Sequence, residues 1–365
     1  MRRKAGPIDF WILLPAVLLL GMGMIMVFSA SALTSTYNYG DAFYFFKRQL
    51  IWAALGLSGL FIAMQFDYSY LRRLAVPFLG LAVTLLVLVL ITGTATRGSA
   101  RWLGVGSLSF QPSEIIKLAM VIFLAASLSQ NRQRLQYLVH GLGPYLALMG
   151  LICLLILAQP DLGTAIAVAG TTYLMLAAAG ADRRYLALLA LLGVAAVALA
   201  IAIAPYRMAR FTAFLDPWAD PQGNGFQTIQ SLLAIGSGGL FGTGLGQGRQ
   251  KLYYVPENHT DFIFAILSEE LGFIGAGLVV LLFLILIWRG FNTAFKAPDA
   301  FGSLLAAGLT IMLALQALIN MGVVTGMLPV TGITLPLVSY GGSSLIFSLL
   351  GIGILLNISR YIGVS

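Results

Sequence analysis

Apolar residues run along this chain in blocks of about twenty, separated by short polar or Pro/Gly-rich breaks, near 10-32, 48-66, 75-92, 110-128, 143-159, 163-180, 185-204, 262-288, 300-320 and 341-358. Each block is long enough, at 1.5 Å per helical residue, to cross a hydrocarbon layer of about 30 Å. The pattern predicts an all-α, polytopic membrane protein of ten transmembrane helices, forming a single domain over 1-365. The block at 10-32 follows Arg2, Arg3 and Lys4 and ends in "FSASA", which resembles a secretory signal. It is longer than a signal's apolar region, so it reads as a retained first helix.

The breaks are uneven. Arg2, Arg3, Lys4, Arg72, Arg73, Arg132, Arg134, Arg183, Arg184, Arg289, Lys296 and Arg360 fall on one side of the predicted layer, whereas the short breaks opposite hold only Lys47, Arg48, Arg97 and Arg101. The positive-inside rule places both termini in the cytoplasm. The outer side then carries the segments near 93-109, 159-163 and 321-340, together with one long loop over about 205-260. That loop is rich in aromatic and aliphatic residues and is expected to fold back on the membrane as short interfacial helices.

Composition narrows the function. The chain is 59% hydrophobic and 9% charged with a net charge of +8, and its mean hydropathy is +0.93. Cations in so apolar a chain belong beside anionic lipid, so a nucleic-acid partner is not expected. The single cysteine, Cys153, excludes a disulfide within the chain and a cysteine-based metal site. No HExxH pattern provides a zinc site, and no organic cofactor is indicated. The run "GSGGLFGTGLGQG" at 236-248 lacks the strand and the GK[ST] ending of a nucleotide loop, and reads as tight turns in close packing. No internal repeat is visible, which disfavours an inverted-repeat transporter.

Charges within apolar blocks cost about 2.5-3.5 kcal/mol each and face cavities or partners. Glu114 and Lys117 are three apart in "FQPSEIIKLAM" and can pair on one helix face. Asp161 in "AQPDLGTA" starts a helix, either as its cap or as part of a polar site. Asp261, in "YYVPENHTDFIFAILSEELG", also stands at a helix start, where the dipole favours its ionised form. It reads as a cap or as an acid-base group. Glu269 and Glu270 lie about two turns deeper, and adjacent positions cannot face the same way, so at least one packs in the bundle or pairs with a base. His259 is either a hydrogen-bonded structural residue or a proton carrier. Arg207, Arg210, Arg249 and Lys251 would suit a phosphorylated headgroup or anionic lipid generally. The residues alone therefore leave two possibilities, an enzyme acting on a lipid-linked substrate at the outer face or a transporter.

Five stretches together resemble the SEDS family (shape, elongation, division and sporulation), from the first helix to the last: "PENHTDFIFAILSEELGFIG", "FQPSEIIKLA", "QPDLGTA", "RFTAFLDPWADPQGNGFQTIQSLLAIGSGGLFGTGLGQGRQKLYYVPE" and "GMLPVTGITLPLVSYGGSSL". "DPW" and "GLGQGRQKLYYVPE" are more similar to the FtsW/SpoVE branch than to RodA. The resemblance implies a peptidoglycan glycosyltransferase of the bacterial cytoplasmic membrane. Such an enzyme polymerises lipid II at the outer face beside a class B penicillin-binding protein and other division or sporulation proteins. It implies Asp261 as the catalytic base on the acceptor 4-hydroxyl, with inversion at the donor carbon. Arg101, Trp102, Asp161, Arg207, Arg210, Lys251 and His259 become substrate-binding candidates, and Glu114 with Lys117 a structural or regulatory contact. A divalent cation, Mg or Mn, could share the pyrophosphate charge. Two other readings stay open, a lipid II flippase and a scaffold that recruits the cross-linking partner.

Overall fold

The computed structural model describes residues 6-96, 99-105, 108-131, 135-251 and 259-362. Arg2, Arg3, Lys4, Arg97, Arg132 and Arg134, and 252-258 of the motif before Asp261, lie outside the described residues. Twelve helices are α1 (Phe10–Tyr39), α2 (Tyr44–Gln65), α3 (Ser69–Thr92), α4 (Pro112–Gln130), α5 (Gly143–Leu157), α6 (Leu162–Ala178), α7 (Arg183–Ile203), α8 (Pro205–Leu215), α9 (Phe226–Gly238), α10 (Ile263–Lys296), α11 (Ala300–Val324) and α12 (Gly342–Ser359). Among the described residues nine are long and apolar enough to span, α5 counted with a π-helical turn from Leu138, and the shorter α6 makes the tenth. A helix stands at each of the ten expected blocks, and the described part of the long loop forms α8, α9 and turns.

Local chemistry fixes many of the ends. Asp9, Asp161, Asp182 and Asp299 cap α1, α6, α7 and α11 by accepting from backbone N–H groups two or three residues on, and Pro112 starts α4, where its missing N–H costs nothing. Helix α1 outruns its apolar block through "TSTYNY" and stops at Gly40, whose φ of 69° is the left-handed turn that glycine adopts without penalty.

The stretch between α3 and α4 is not the plain connection that the hydropathy suggests. It forms a three-stranded antiparallel sheet of β1 (Thr94–Thr96), β2 (Ser99–Val105) and β3 (Leu108–Phe110). Leu103 is paired with Phe110.

Helix α12 packs along α2, α10 against α11, α1 and α9, and α11 against α4 and α6. Helix α7 buries no residue, so its apolar surface needs lipid. Gly6 N–H donates to Arg360 O at 2.7 Å, and Arg289 pairs with Asp9, Nε to Oδ2 at 3.0 Å. The described ends, near Gly6 and Arg360, therefore meet on one face, and the chain order of the helices puts the sheet, the α5–α6 turn, the α7–α10 loop and the α11–α12 loop on the distal face.

One close packing contact reaches that face from α1. A Cβ on Gly23 would stand 2.6 Å from Leu337 O and from Val338 Cα, whereas one on Gly21 would meet nothing within 4 Å. Gly23→Ala is expected to cost about 1–3 kcal/mol because the obstruction is backbone. Gly21→Ala is expected to be neutral or slightly stabilising. Thermal unfolding in detergent reads the contrast, and equal midpoints would refute it.

Candidate active site

The α11–α12 loop is tied to the residues around Asp261. Ser339 Oγ donates to Thr260 O at 2.7 Å and accepts from Leu335 N–H at 2.8 Å. Tyr340 N–H donates to His259 O at 2.9 Å. The Asn320 amide nitrogen donates to both Asp261 O (2.8 Å) and Ile333 O (2.7 Å), joining the two segments. Gln49 of α2 reaches in to donate to Ser339 O at 3.1 Å. Asp261 stands one residue before the N-cap, Phe262, of α10. Its carboxylate lies against Gly332, where a Cβ would stand 3.4 Å from Oδ2 and the φ of 79° favours glycine. The carbonyl of Asp261 is thus held from behind while its side chain meets the turn of a second loop.

Asp261 opens into a cavity of about 410 Å³ on the distal face, whose lining includes Arg101 and Trp102 of β2, Trp52 of α2, Arg210 of α8, Gln227 of α9 and Ser343 of α12. Arg101 is held in place, its Nε donating to Gln159 O at 2.9 Å and its guanidinium also to Pro160 O. Arg101 Nη1 lies 3.9 Å from Asp161 Oδ2. Gln111 N–H donates to Ser343 Oγ at 3.0 Å, joining the sheet's exit to α12. Burial pushes the Tyr340 phenol in the wall above its usual range, and neighbouring Arg48 offsets this only in part, so it stays protonated. Among the described lining residues, one carboxylate and two guanidiniums give a net positive charge. That suits an anion with hydroxyl groups, because arginine binds phosphate oxygens in forked pairs.

Of the residues singled out from sequence, Arg101, Trp102, Arg210 and Asp261 meet here. The other candidates do not line the cavity. Asp161 caps α6, accepting from Thr164 N–H at 3.1 Å and Thr164 Oγ1 at 2.9 Å, and it stands behind Arg101. Arg207 turns back along its own helix pair, donating to Ala200 O and stacking on Tyr206. Lys251 is buried and donates to Glu270 Oε1 at 2.6 Å and Ser29 Oγ at 3.1 Å. His259 packs between Phe45 and Tyr340, and its carbonyl accepts from Tyr340 N–H.

Deeper in the bundle, Lys117 donates to Glu114 Oε1 at 2.7 Å and Gln316 Oε1 at 3.0 Å, a buried brace between α4 and α11. Glu269 accepts from Arg249 N–H at 2.7 Å and Gln250 N–H at 3.2 Å, so both adjacent glutamates are matched. Trp52, Gln111, Tyr340 and Ser343 escaped the sequence reading because uncharged residues carry no cost that flags them. The one available signal was the polar run "SYGGSS" ahead of the last apolar block. A larger hollow, about 710 Å³ between α2, α3, α4 and α12, lies toward the termini and is almost wholly apolar, so it offers no chemistry.

The described lining of the cavity does not by itself make a site for a divalent cation. Asp261 is its one carboxylate among the described lining residues. No three His, Cys, Asp or Glu side chains gather anywhere among the described residues.

The comparisons agree along the whole length. A family model described as a cell cycle protein, FTSW_RODA_SPOVE, matches residues 10–363. Stage V sporulation protein E of Bacillus subtilis (strain 168) is 49% identical over 361 residues, 98% of each chain. A protein named probable peptidoglycan glycosyltransferase FtsW, from Geobacter sp. (strain M18), is 45% identical over 361 residues, again 98% of each. Among solved structures, a chain from a peptidoglycan synthase complex described as coordinating polymerization and crosslinking superposes with a TM-score of 0.77 at 34% identity, covering 97% of this chain and 98% of the other.

Proposed function

We propose, because this chain belongs to the FTSW_RODA_SPOVE family of cell cycle proteins, that it is a peptidoglycan glycosyltransferase polymerising lipid II during division or sporulation. The observation that carries the reading is the convergence of Asp261, Arg101 and Arg210, from three distant segments, on one cavity at the distal face. The Asp261 carboxylate takes the proton of the acceptor 4-hydroxyl as that oxygen attacks the anomeric carbon of the donor. The bond from that carbon to the pyrophosphate oxygen breaks, and its electron pair leaves with the pyrophosphate. A single displacement inverts the carbon, turning an α-linked donor into a β-1,4 glycan. Arg101 and Arg210 receive the charge that develops on the leaving group, where preorganised donors are most effective. An Mg or Mn ion taking part would arrive with the pyrophosphate, since the described lining residues supply a single carboxylate.

The distal face is outward and both termini are cytoplasmic in this reading. Arg72, Arg73, Arg183, Arg184, Arg289, Lys296 and Arg360 all sit on the termini side, and short loops rich in arginine and lysine stay inside. The membrane is then the bacterial cytoplasmic membrane. A class B penicillin-binding protein fits as partner, in line with the structural likeness to a synthase complex. A flippase would need polar groups that open to both sides in turn. Below the cavity, the buried charges Glu114, Lys117, Glu270 and Lys251 are instead matched with one another, which favours surface chemistry.

The test is glycan-strand formation from purified lipid II by the protein reconstituted with its cross-linking partner. Strands are expected. Their absence, with translocation of labelled lipid II across the same vesicles, would replace the polymerase with the flippase.

A further inference from the structure

A second, smaller hollow of about 250 Å³ adjoins the cavity of Asp261. The two share Arg210, Gln227 and Val330 in their linings, so they lie side by side at Arg210. The far side of the second hollow is built from Gln222, Asn224 and Phe226. These sit on a turn that its own bonds fix. The Asp220 carboxylate accepts from Gly223 N–H at 3.1 Å and Asn224 N–H at 2.9 Å, and its carbonyl accepts from Gly225 N–H at 3.1 Å. A Cβ on Gly225 would fall 2.0 Å from Pro217 O, so glycine alone closes the turn.

The described lining offers three carboxamides, one guanidinium shared with the catalytic cavity, and one aromatic ring, with no carboxylate and no lysine. Carboxamides donate and accept at once, which matches hydroxyl and N-acetyl groups, and an aromatic face covers the apolar face of a sugar ring. We propose that this hollow is a sugar-binding subsite for the neutral ring next to the reacting one, with Gln222, Asn224 and Gln227 as its hydrogen-bonding residues. The inference rests on the glycosyltransferase reading. A saccharide whose pyrophosphate or reacting carbon lies by Arg210 has its next ring within reach of this hollow, and the hydrogen-bonded turn fixes the backbone that carries Gln222 and Asn224.

The experiment varies lipid II concentration with the full-length protein and its partner, comparing wild type with Gln222→Ala, Asn224→Ala and the double variant. Each single change is expected to raise the apparent KM about 3-fold and the pair about 10-fold, the range for lost neutral hydrogen bonds. The maximal rate should stay within about 2-fold and the unfolding temperature should not move. An unchanged KM, or a loss of rate alone, overturns the subsite while leaving the polymerase standing. A binding arm uses undecaprenyl-pyrophosphate disaccharide and a soluble oligosaccharide of the glycan as probes, and it decides the matter even if the wild type forms no strands. Weaker binding of the lipid-linked disaccharide alone assigns the hollow to the donor. Weaker binding of the soluble glycan assigns it to the acceptor, and unchanged binding of both removes it.

Discussion

Asp261→Asn is expected to lower glycan polymerisation by about 10²–10⁴-fold, the usual worth of a positioned general base. The substitution keeps the side chain's size and shape, and it leaves the backbone carbonyl that Asn320 holds at 2.8 Å. Packing against Gly332 is likewise unaffected, since the same atoms fill the same place. What disappears is the ability to take a proton and the negative charge facing Arg101 and Arg210. Lipid II affinity should therefore hold or rise, and the loss should appear in the maximal rate. Asp261→Glu is the complementary variant, because it keeps the base and moves it by one methylene. A displacement on the order of 1 Å can cost about 10²-fold, so partial activity is expected. Full activity in Asp261→Asn, at an unchanged unfolding temperature, would remove the carboxylate from the mechanism.

Hydropathy sufficed for the ten spans because burial in lipid leaves the backbone of an exposed segment only helical options. It placed ends less well, since polar residues can continue a helix beyond the apolar layer, as they do from Thr34 to Tyr39. The small sheet over 94–110 was missed because strands of three to seven residues leave little alternation to detect. The glycine run, read as close packing, does pack closely. Gly238 and Gly242 approach the backbone of Ser268 and Glu270 too nearly for any Cβ, and Thr243 and Gly244 donate to the Glu269 and Glu270 carbonyls where α10 breaks at Gly272.

The chemistry of the site was half legible for a related reason. Charge marks a residue as costly, so Asp261 and Arg210 stood out, Arg101 entered through the family resemblance, and β2, α8 and the approach to α10 bring the three together. The same cost also marks residues that are matched elsewhere. Nothing in the spacing of Lys251 and Glu270 says that the two side chains meet, and Arg207 sits three residues from Arg210 yet turns to Tyr206 and Ala200. Sequence supplies the inventory of expensive groups, and the tertiary fold decides which of them face the substrate.

That distinction makes Lys251 the second strong prediction. Its ammonium and the Glu270 carboxylate are 2.6 Å apart with almost no exposure. Ser29 Oγ donates to the same carboxylate at 2.7 Å and Gly246 N–H at 3.0 Å, which ties α1, the glycine run and α10 into one junction. Lys251→Met removes the cation and leaves a buried anion with two neutral donors. Breaking a buried pair in this way costs about 3–5 kcal/mol, where an exposed pair would cost under about 1 kcal/mol. Adding Glu270→Gln removes the stranded charge, so the double variant should be more stable than Lys251→Met alone, by about 1–3 kcal/mol. A pyrophosphate ligand predicts a different pattern. Lys251→Met would then keep its unfolding temperature, raise the KM for lipid II, and gain nothing from the second change. Thermal unfolding of wild type, Lys251→Met, Glu270→Gln and the double variant, read beside polymerisation rates at saturating lipid II, separates the two roles. The buried pair requires that stability fall and partly recover, with activity following the folded fraction.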